Sequence, residues 1–350
     1  MRIGLYGMPT AGKSYILERI DFMEVVLGSK LLRQQNPDFD LLDEEGRKKA
    51  RERFAAYIAG KQDFIMDGHY AFGDEVAFTE ADGNMYDAFV YLYIDPEILS
   101  KRMKESDRNR KYLVYDIRSW QNLEINCLRE YCHDHDKDFY VIDNPPENAY
   151  IDTDSALAFI KIIHEGYSCL GYAKQCAEAI YASINDGIVT LLDGDKTITV
   201  KDTSNAVFGY TTHLYDGNFY TGYQAWKQSL EFRDYSIPEI QDIPVPLNNK
   251  VLSKICGDSV VLTSGHEKIW GAIASKLGFG CFCGNRMSAD TKFFVTKLLQ
   301  EKGMRVIAFG DGMNDYYMLK KADEGYLVTK ADGSLSRSLR GKDMEGLIYV

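Results

Sequence analysis

Short apolar runs that end in glycine or aspartate occur in two separate regions of the chain. Ile3-Gly4-Leu5-Tyr6 leads into Gly7–Ser14, and Val189–Leu192 leads into Asp193-Gly194-Asp195. A short apolar run followed by a glycine-containing polar turn is typical of a buried strand in a parallel sheet. Functional residues of open α/β sheets follow the carboxyl ends of such strands, so we expect two α/β units, each with its own site.

Length and composition support a chain of two globular domains. At 350 residues it is longer than a single hydrophobic core usually supports, and 45% of its residues are hydrophobic and 27% charged. No apolar stretch approaches the roughly 18 residues that a membrane span needs. The chain opens on a core strand without a signal-peptide pattern, and its seven cysteines form no C-x-x-C pair, so we expect a cytoplasmic protein with reduced thiols.

The net charge of −11 comes from the first half of the chain. Residues 1–186 hold 22 Lys and Arg against 33 Asp and Glu, whereas residues 187–350 hold 19 of each. Neither half has the basic balance that binding to a phosphate backbone normally requires. This charge disfavours a nucleic-acid substrate, although a local basic groove within an acidic average stays open.

Alternating apolar runs and helix-like segments predict the element order. Strands are expected at 2–7, 63–67, 88–94 and 138–142, and then at 188–193, 259–264, 305–309 and 325–328. A single apolar stripe at spacings of three and four runs through 165–185 and predicts a helix. We therefore expect a first domain at 1–165, a linker helix at 166–186 and a second domain at 187–350. Some 67 residues separate Asp195 from Thr263, which predicts an inserted cap at about 199–250.

Gly7 to Ser14 fit the phosphate-loop pattern G-x4-G-K-[ST]. A glycine-rich turn between a strand and a helix points backbone N–H groups and the positive end of the helix dipole at one spot, which suits a polyphosphate. Lys13 is expected to reach the β- and γ-phosphates of ATP, and the Ser14 hydroxyl to hold Mg²⁺. The apolar strand that ends at Asp67 supplies a carboxylate suited to the magnesium shell or the phosphate acceptor.

Residues 1–160 resemble the nucleoside-monophosphate kinases of adenylate-kinase type. The resemblance rests on the phosphate loop, Gly28 to Arg33, Asp67-Gly68-His69 and a later arginine-bearing segment. It implies a parallel sheet with helices on both faces, acceptor binding near Gly28 and Arg33, and a lid that binds the transferring phosphoryl group. The lid arginines, for each of which a solvated helix face stays an alternative, are Arg102, Arg108 and Arg110. Residues 21–60 match only at Gly28 and Arg33, so the acceptor could be a nucleotide or a small sugar or alcohol.

Carboxylates and hydroxyls close three strands of the second half. Asp193 and Asp195 flank Gly194, so one carboxylate can attack phosphorus while the other protonates the leaving oxygen. Ser264 ends a second strand, Lys292 follows on a helix, and Asp311 and Asp315 follow a third strand. Clustered carboxylates repel one another without a cation, so a metal is expected, and hard oxygen ligands with phosphate favour Mg²⁺.

In this order the four elements resemble the haloacid dehalogenase superfamily, in particular its phosphoserine-phosphatase-like branch. The resemblance implies a Rossmann-like core in which Asp193 becomes an aspartyl phosphate and Asp195 is the general acid and base. It also implies that Ser264, or Thr263 if the register slips by one residue, binds phosphoryl oxygens and that Lys292 neutralises charge. The implied metal site consists of Asp193, the Asp195 carbonyl, Asp311 and Asp315. The spacing from Ser264 to Lys292 is short for this branch, and 199–250 lacks recognisable serine-reading residues.

Three further features have two readings each. His266 either touches the substrate or starts a helix and faces solvent. His133-Asp134-His135-Asp136 contains metal-ligand residue types but is predicted to be a polar loop. Five aromatic residues either line the substrate side of the cap or pack its interior; they are Tyr210, Tyr215, Tyr220, Tyr223 and Trp226.

The sequence therefore predicts a bifunctional enzyme with an ATP-dependent kinase unit and a Mg²⁺-dependent phosphomonoesterase unit. Its expected partners are small phosphate esters and nucleotides, without a membrane. Two alternatives stay open. One is a polynucleotide 5′-kinase and 3′-phosphatase, and the other is a phosphatase regulated by a nucleotide-binding but non-catalytic phosphate loop.

Overall fold

A computed structural model describes residues 1–143, 151–184, 186–233, 240 and 242–350. The chain divides into two compact units, Met1–Tyr167 and Ser168–Val350. Within the described residues, no helix is long and apolar enough to cross a membrane.

The N-terminal unit contains a five-stranded parallel sheet with the spatial order β2-β3-β1-β6-β7. Its strands are β1 (Arg2–Tyr6), β2 (Glu24–Val26), β3 (Phe64–Asp67), β6 (Ala88–Leu92) and β7 (Asp138–Ile142), and a separate hairpin pairs β4 (Ala71–Phe72) with β5 (Glu75–Val76). All five residues of β6 are buried, so the sheet is covered on both of its faces. The phosphate loop follows β1, the central strand.

Seven α-helices accompany the sheet in the described part of this unit. They are α1 (Lys13–Leu17), α2 (Gly28–Gln35), α3 (Glu44–Ile58), α4 (Glu80–Asn84), α5 (Pro96–Glu105), α6 (Ile117–Asp134) and α7 (Thr153–His164). Aspartate side chains accept hydrogen bonds from backbone N–H groups at the starts of α3, α5, α6 and α7. These caps satisfy N–H groups that have no partner inside the helix, and so they locate the helix starts.

The C-terminal unit contains a six-stranded parallel sheet with the spatial order β10-β9-β8-β11-β12-β13. Its strands are β8 (Ile188–Leu192), β9 (Asp258–Thr263), β10 (Gly280–Cys283), β11 (Arg305–Gly310), β12 (Glu324–Leu327) and β13 (Ile348–Tyr349). Because β8 lies between β9 and β11, the carboxyl ends of these three strands meet at one edge of the sheet.

The helices of this unit include two that lie in an insertion between β8 and β9. The described helices are α8 (Cys169–Ser183), α9 (Thr203–Phe208), α10 (Gly222–Phe232), α11 (Asn249–Leu252), α12 (Glu267–Leu277), α13 (Ala289–Glu301) and α14 (Met313–Lys321). The insertion that carries α9 and α10 is closed at its base by an antiparallel bridge between Thr199 and Leu247. This is the small inserted cap that the fold prediction contains.

The predicted fold class is confirmed, since each unit is built on a parallel sheet with connecting helices. All eight predicted strands are present to within two residues. No strand was predicted at β2, at the β4–β5 hairpin, at β10 or at β13, all of which are short. The helix predicted at 166–186, as a linker that also packs on one of the domains, is α8; it packs on α13 and buries Leu170, Cys176 and Ile180 in the core of the C-terminal unit.

The loop predicted for residues 133–136 is confirmed only for its second half, since residues 135 and 136 form a turn. His133 and Asp134 form the last turn of α6, and His135 follows it, with its Nδ1 atom 2.8 Å from the carbonyl oxygen of Tyr131. The helix continues because Leu128 and Cys132 extend its buried stripe to this point. Among the described residues, the run is not part of a cluster that could hold a metal.

Candidate functional sites in the two units

Three carboxylates meet at the carboxyl edge of the C-terminal sheet. Asp193 follows β8, Asp311 follows β11, and Asp315 lies in the first turn of α14. One carboxylate oxygen from each residue lies within 4.8 Å of the others. Backbone N–H groups of Asp311 and Gly312 donate to Asp315 Oδ2 at 3.1 and 3.3 Å, which holds that carboxylate in place.

Lys292 joins this cluster from the first turn of α13. Its side chain is fully buried, and Nζ donates to Asp193 Oδ1 at 2.6 Å and to Asp315 Oδ1 at 2.7 Å. Burial by itself would lower the pKa of Lys292, but the two carboxylates outweigh burial and raise the pKa above its usual value. The ammonium group is therefore charged at every physiological pH.

The remaining negative charge of the cluster suits a cation. Burial, together with neighbouring carboxylates, raises the pKa of Asp311 well above its usual range and the pKa of Asp315 to about 6. One ammonium group cannot offset three carboxylates, so their ionised forms repel one another. The donor atoms are hard carboxylate oxygens, which is the ligand set that Mg²⁺ prefers, and the residues therefore fit that ion.

Asp195 lies outside this cluster although it is only two residues from Asp193. Its Oδ1 atom accepts from the backbone N–H of Thr203 at 2.6 Å, and Oδ2 accepts from Nε1 of Trp270 at 3.3 Å. Burial and the charge of Asp202 raise the pKa of Asp195 to about 7. About half of this carboxyl group is therefore protonated at neutral pH, as a general acid requires.

Ser264 and Thr263 occupy different positions at the end of β9. Ser264 Oγ donates to the carbonyl of Met287 at 2.6 Å and accepts from Nδ2 of Asn314 at 3.0 Å, whereas Thr263 Oγ1 accepts from the N–H of Gly265 at 3.0 Å. Both side chains line the cleft above the cluster. Asn314 was not singled out from the sequence, although it lies within the motif that carries Asp311 and Asp315. Its Oδ1 atom is buried and has no hydrogen-bond partner in the described part of the chain.

A cleft of about 290 Å³ lies between the cluster and the cap. Two cap tyrosines line it, with the rings of Tyr215 and Tyr220 stacked at 4.8 Å between centroids and 11° between planes. The Tyr215 hydroxyl donates to Oε1 of Gln228 at 2.8 Å. These two rings thus lie on the side of the cap that faces the cleft.

The other predicted cap aromatics have mainly packing positions. Tyr223 and Trp226 are buried in α10, and Tyr210 lies edge-on to the ring of Phe232. None of these three lines the cleft. His266 also lies outside the cleft lining and caps the start of α12 through its own ring nitrogen.

In the N-terminal unit, the phosphate loop has three residues with positive φ. Gly7, Thr10 and Gly12 have φ angles of 149°, 66° and 100°, values that favour glycine at the first and third positions. Lys13 folds back over this loop, and its Nζ donates to the carbonyls of Gly7 at 2.5 Å and Met8 at 3.2 Å. The ammonium group therefore lies against the turn that the sequence assigns to polyphosphate.

Lys13 has a different environment from Lys292. Burial lowers the pKa of Lys13 to about 8, and the more distant carboxylates of Glu124 and Asp67 offset only part of this effect. The neighbouring Ser14 side chain is exposed in the first turn of α1. An exposed hydroxyl beside a poorly compensated ammonium group fits a site for a metal-bound polyphosphate.

Asp67 connects the end of β3 to the predicted acceptor region. Its Oδ1 atom accepts from the backbone N–H of Gly28 at 2.7 Å, at the start of α2. Arg33, on the same helix, donates to both carboxylate oxygens of Asp40 at 3.0 Å. Asp67 thus positions the start of α2, while the guanidinium group of Arg33 is engaged within the acceptor region.

The predicted lid arginines differ in their contacts. Arg102 Nη1 donates to the carbonyl of Thr10 at 3.1 Å and so contacts the phosphate loop directly. Arg110 donates to the carbonyl of Lys104 and pairs with Asp107 at 3.4 Å. Arg102 therefore contacts the phosphate loop, whereas Arg110 contacts residues close to it in the chain.

Two residues near the loop that have buried side-chain atoms, His69 and Glu124, were not predicted to be site residues. His69 Nδ1 is buried without a hydrogen-bond partner in the described part of the chain, and its ring packs on Phe72. Burial, and then the charges of Lys13 and Arg108, lower the pKa of His69 well below its usual value. The position of His69 directly after Asp67-Gly68 is the signal that could have singled it out.

Glu124, on α6, has no comparable sequence signal. Its buried carboxylate accepts from the backbone N–H of Ala71, the Tyr91 hydroxyl and Nε1 of Trp120 at 3.0, 2.6 and 3.2 Å. Burial raises its pKa despite these three donors. Only the packing of α6 on the sheet brings this carboxylate near Lys13.

A larger cleft of about 680 Å³ in the N-terminal unit is not the phosphate-loop site. It lies between α3, the β4–β5 hairpin and α4, and no phosphate-loop residue lines it. Its charged lining is mostly acidic, which does not suit a phosphate; the charged residues are Glu44, Lys48, Arg51, Glu52, Glu75 and Glu80.

Comparison with protein families gives a match in the C-terminal unit. Residues 292–338 match the family model of haloacid dehalogenase-like hydrolases, and these residues include Lys292, Asp311 and Asp315. No curated protein matches the chain.

Similar solved structures fall into two groups. Shikimate kinase from Bacteroides thetaiotaomicron is 16% identical, with 47% of this chain and 98% of that chain covered and a TM-score of 0.35. A phospho-aspartyl intermediate analogue of phosphoserine phosphatase is 19% identical, with 41% and 86% covered and a TM-score of 0.28. A haloacid dehalogenase family hydrolase from Salmonella enterica serovar Typhi is 13% identical, with 48% and 69% covered and a TM-score of 0.28. The family-model match lies in the C-terminal unit, where the sequence predicts a haloacid dehalogenase-like domain.

Proposed function

We propose that the C-terminal unit is a Mg²⁺-dependent phosphomonoesterase in which Asp193 is the nucleophile and Asp195 the general acid and base. One observation carries this proposal: the two aspartates lie in different electrostatic environments. Asp193 Oδ1 accepts from the Lys292 ammonium group at 2.6 Å, whereas burial and the charge of Asp202 raise the pKa of Asp195 to about 7. A general acid must hold a proton at the working pH, and the raised pKa supports that role for Asp195 and not for its neighbour.

The proposed reaction has two steps. In the first, an Asp193 oxygen forms a bond to phosphorus, the bond to the ester oxygen breaks, and Asp195 gives its proton to the leaving alcohol. In the second, Asp195 takes a proton from water, the water oxygen attacks phosphorus, and the bond to Asp193 breaks to release inorganic phosphate. Lys292 holds Asp193 in position by its hydrogen bond to Oδ1.

The carboxylate cluster is the proposed metal site. The Asp193, Asp311 and Asp315 carboxylates would hold Mg²⁺ with the Asp195 carbonyl, and the bound ion would offset the charge of the phosphate group. The cluster itself carries more negative charge than Lys292 can neutralise, which supports a cation at this position.

Hydrolysis of para-nitrophenyl phosphate tests these roles. Asp193→Asn removes the nucleophile and is expected to lower kcat by roughly 10³-fold or more. Asp195→Asn should still release one equivalent of para-nitrophenol in a burst, because this leaving group needs no protonation, and then turn over slowly. Near-normal hydrolysis by the Asp193 variant would contradict the assignment, as would activity that survives EDTA and is not raised by added Mg²⁺.

For the N-terminal unit we propose an ATP-dependent kinase that phosphorylates a small acceptor. Support comes from the positive-φ loop, from Lys13 folded over it and from the contact of Arg102 with the Thr10 carbonyl. Lys13 and Arg102 would bind the phosphates of ATP, and Ser14 would hold its Mg²⁺. Asp67 would position the acceptor through its bond to Gly28.

Transfer of labelled γ-phosphate from ATP to small alcohols, sugars and nucleoside monophosphates tests this proposal. Lys13→Ala is expected to abolish transfer, and Lys49→Ala, an exposed lysine on α3, is a matched control that should retain it. If the wild-type chain binds ATP but transfers phosphate to none of these acceptors, while Lys13→Ala changes the phosphatase rate, the regulatory alternative replaces the kinase. Phosphorylation of 5′-hydroxyl oligonucleotides together with hydrolysis of 3′-phosphates would favour the polynucleotide alternative.

A further inference from the structure

The cleft above the phosphatase cluster has an uncharged, hydrogen-bonding wall. Beyond the cluster, much of its lining consists of hydroxyl and amide side chains from the cap and from the 3₁₀ turn Arg337–Leu339 with the residue that precedes it. These residues are Ser204, Thr211, Thr212, Gln228, Ser336 and Ser338. Such groups both donate and accept hydrogen bonds, which suits a ligand that carries several hydroxyl groups.

The charges in the described lining are predominantly negative. Asp202 and Asp216 add to the aspartates of the cluster, and Lys196 is the cation among the described lining residues. The Lys196 side chain is 57% exposed, and its Nζ lies 4.0 Å from Asp202. Lys292, below the cleft, is held by Asp193 and Asp315. A carboxylate on the leaving group would thus meet carboxylates and one cation already shared with Asp202.

The stacked rings of Tyr215 and Tyr220 complete this cleft on the cap side. The Tyr215 hydroxyl is engaged by Gln228, so the rings present mainly carbon surface beside the hydrogen-bonding wall. An alternation of apolar surface and hydroxyl partners matches a sugar or polyol, whose carbon chain carries C–H groups and hydroxyls together. The volume of about 290 Å³ is at the lower end of ligand pockets, which indicates a small molecule.

We propose that the phosphatase site takes monophosphate esters of uncharged, polyhydroxylated alcohols, and that its cleft disfavours leaving groups that carry a carboxylate. The inference rests on the proposed phosphatase function and specifies its substrate class. Discrimination arises from poorly compensated charge, since a carboxylate in the cleft would lose water and, among the described lining residues, would meet one cation, Lys196, which Asp202 already shares.

The test uses the full chain with Mg²⁺ and compares kcat/KM for two groups of esters. One group contains glucose 6-phosphate, sorbitol 6-phosphate and glycerol 3-phosphate, and the other contains O-phosphoserine and 3-phosphoglycerate. We expect the first group to be favoured by about tenfold or more in kcat/KM over the second, because a carboxylate on the leaving group would lie beside the negative charges of the lining. Equal or greater kcat/KM for the carboxylate esters overturns the inference, as does hydrolysis of neither group.

A charge reversal in the cleft provides a second measurement. Asp216→Lys places a cation in the lining, so it is expected to shift the ratio of kcat/KM for O-phosphoserine over sorbitol 6-phosphate upward by about tenfold. Asp186→Lys makes the same change of net charge at an exposed residue outside the cleft and should leave that ratio unchanged. An equal shift in both variants would assign the effect to net charge and overturn the inference.

The proposed function and this inference fail in different ways. Hydrolysis of para-nitrophenyl phosphate by the wild-type chain reports the phosphatase reaction without any demand on hydroxyl recognition. Loss of that reaction would remove the proposed function itself. A chain that hydrolyses para-nitrophenyl phosphate and prefers carboxylate esters would keep the function and remove only the inference.

Discussion

Lys13 and Lys292 are both buried, but their neighbours give them opposite pKa shifts. Lys292 contacts two carboxylates at 2.6 and 2.7 Å, whereas Lys13 contacts backbone carbonyls and has its nearest carboxylates farther away. A carbonyl dipole offsets the loss of water less well than a full negative charge does. Lys292 therefore holds its charge as a structural ion pair, and Lys13 keeps a charge that a bound phosphate can neutralise.

The pKa of Lys13 predicts a pH dependence of nucleotide binding. Burial lowers this pKa to about 8, so the side chain is charged below pH 8 and loses its proton as the pH rises through that value. We expect the Kd for ATP to be nearly constant from pH 6 to 7.5 and to rise by about tenfold for each pH unit above 8. Isothermal titration calorimetry at pH 7 and 9.5 measures this change. Lys13→Arg, which stays charged, should bind with a flatter profile; a flat profile for the wild-type chain contradicts the prediction.

Removal of the Lys292 charge is expected to destabilise the C-terminal unit. Lys292→Met leaves Asp193 and Asp315 buried without their cation, and the loss of one partner from a buried ion pair costs about 3–5 kcal/mol. Urea unfolding in EDTA measures this loss. Added Mg²⁺ should recover part of it, because the ion supplies positive charge to the same carboxylates. Lys321→Met, at an exposed position on α14, is the control and should change stability little.

At the scale of elements, the junction of β11 and α14 brings the site together. Gly310 ends the strand, and a Cβ atom added there would lie 2.2 Å from Cβ of Asp315. The strand and the first helical turn can approach this closely only because position 310 has no side chain. This approach places the Asp315 carboxylate against Lys292.

Gly310→Ala is therefore expected to displace Asp315 and to lower both phosphatase activity and stability. The added methyl group must move either the strand end or α14, and overpacking of this kind typically lowers folding stability by about 1–3 kcal/mol. Gly271→Ala is the matched control, since a Cβ atom added at Gly271 meets no atom within 4 Å. Glycine within a helix costs about 0.5–1 kcal/mol relative to alanine, so this variant should be slightly more stable than the wild-type chain. Thermal unfolding and hydrolysis of para-nitrophenyl phosphate measure both variants; an active, fully stable Gly310→Ala protein contradicts the prediction.

The central strands were predictable, whereas some edge elements were not. β1, β6, β8 and β11 are continuous apolar runs because both faces of each are buried, and burial leaves a direct trace in the sequence. β2 contains Glu24, and β13 consists of only two residues, both of which are exposed, so neither strand forms a buried apolar run. Such strands are defined by hydrogen bonds to a neighbouring strand, and those bonds depend on tertiary structure.

At the scale of the molecule, α8 belongs to the C-terminal unit. Leu170, Ala173, Cys176, Ala177 and Ile180 are buried in the same core as residues of α13 and β8. The apolar stripe of this helix was visible in the sequence, but the stripe alone cannot tell which unit it packs on. The unit therefore begins at Ser168 rather than after a linker.

This boundary makes a prediction about fragments. Residues 168–350 should fold and hydrolyse para-nitrophenyl phosphate at a rate close to that of the full chain. A fragment of residues 187–350 lacks α8 and exposes the core side chains that α8 covers. This exposure should lower the free energy of unfolding by an amount on the order of 5 kcal/mol, which is comparable to the whole stability of many domains. Circular dichroism and urea unfolding of both fragments measure the difference, and a stable, active 187–350 fragment contradicts the assignment of α8.

The residues that follow the carboxyl ends of the strands can be read from the sequence alone, and with them the phosphate loop and the four ordered motifs of the C-terminal unit. These features are local, because a strand, its turn and the next helix are contiguous in the chain. The neighbours of these residues depend on the packed fold: two carboxylates contact Lys292, backbone carbonyls contact Lys13, Asp195 lies apart from the cluster, and hydroxyl groups line much of the cleft. Charge, burial and pKa depend on neighbours that are distant along the chain, and only folding brings those neighbours into contact.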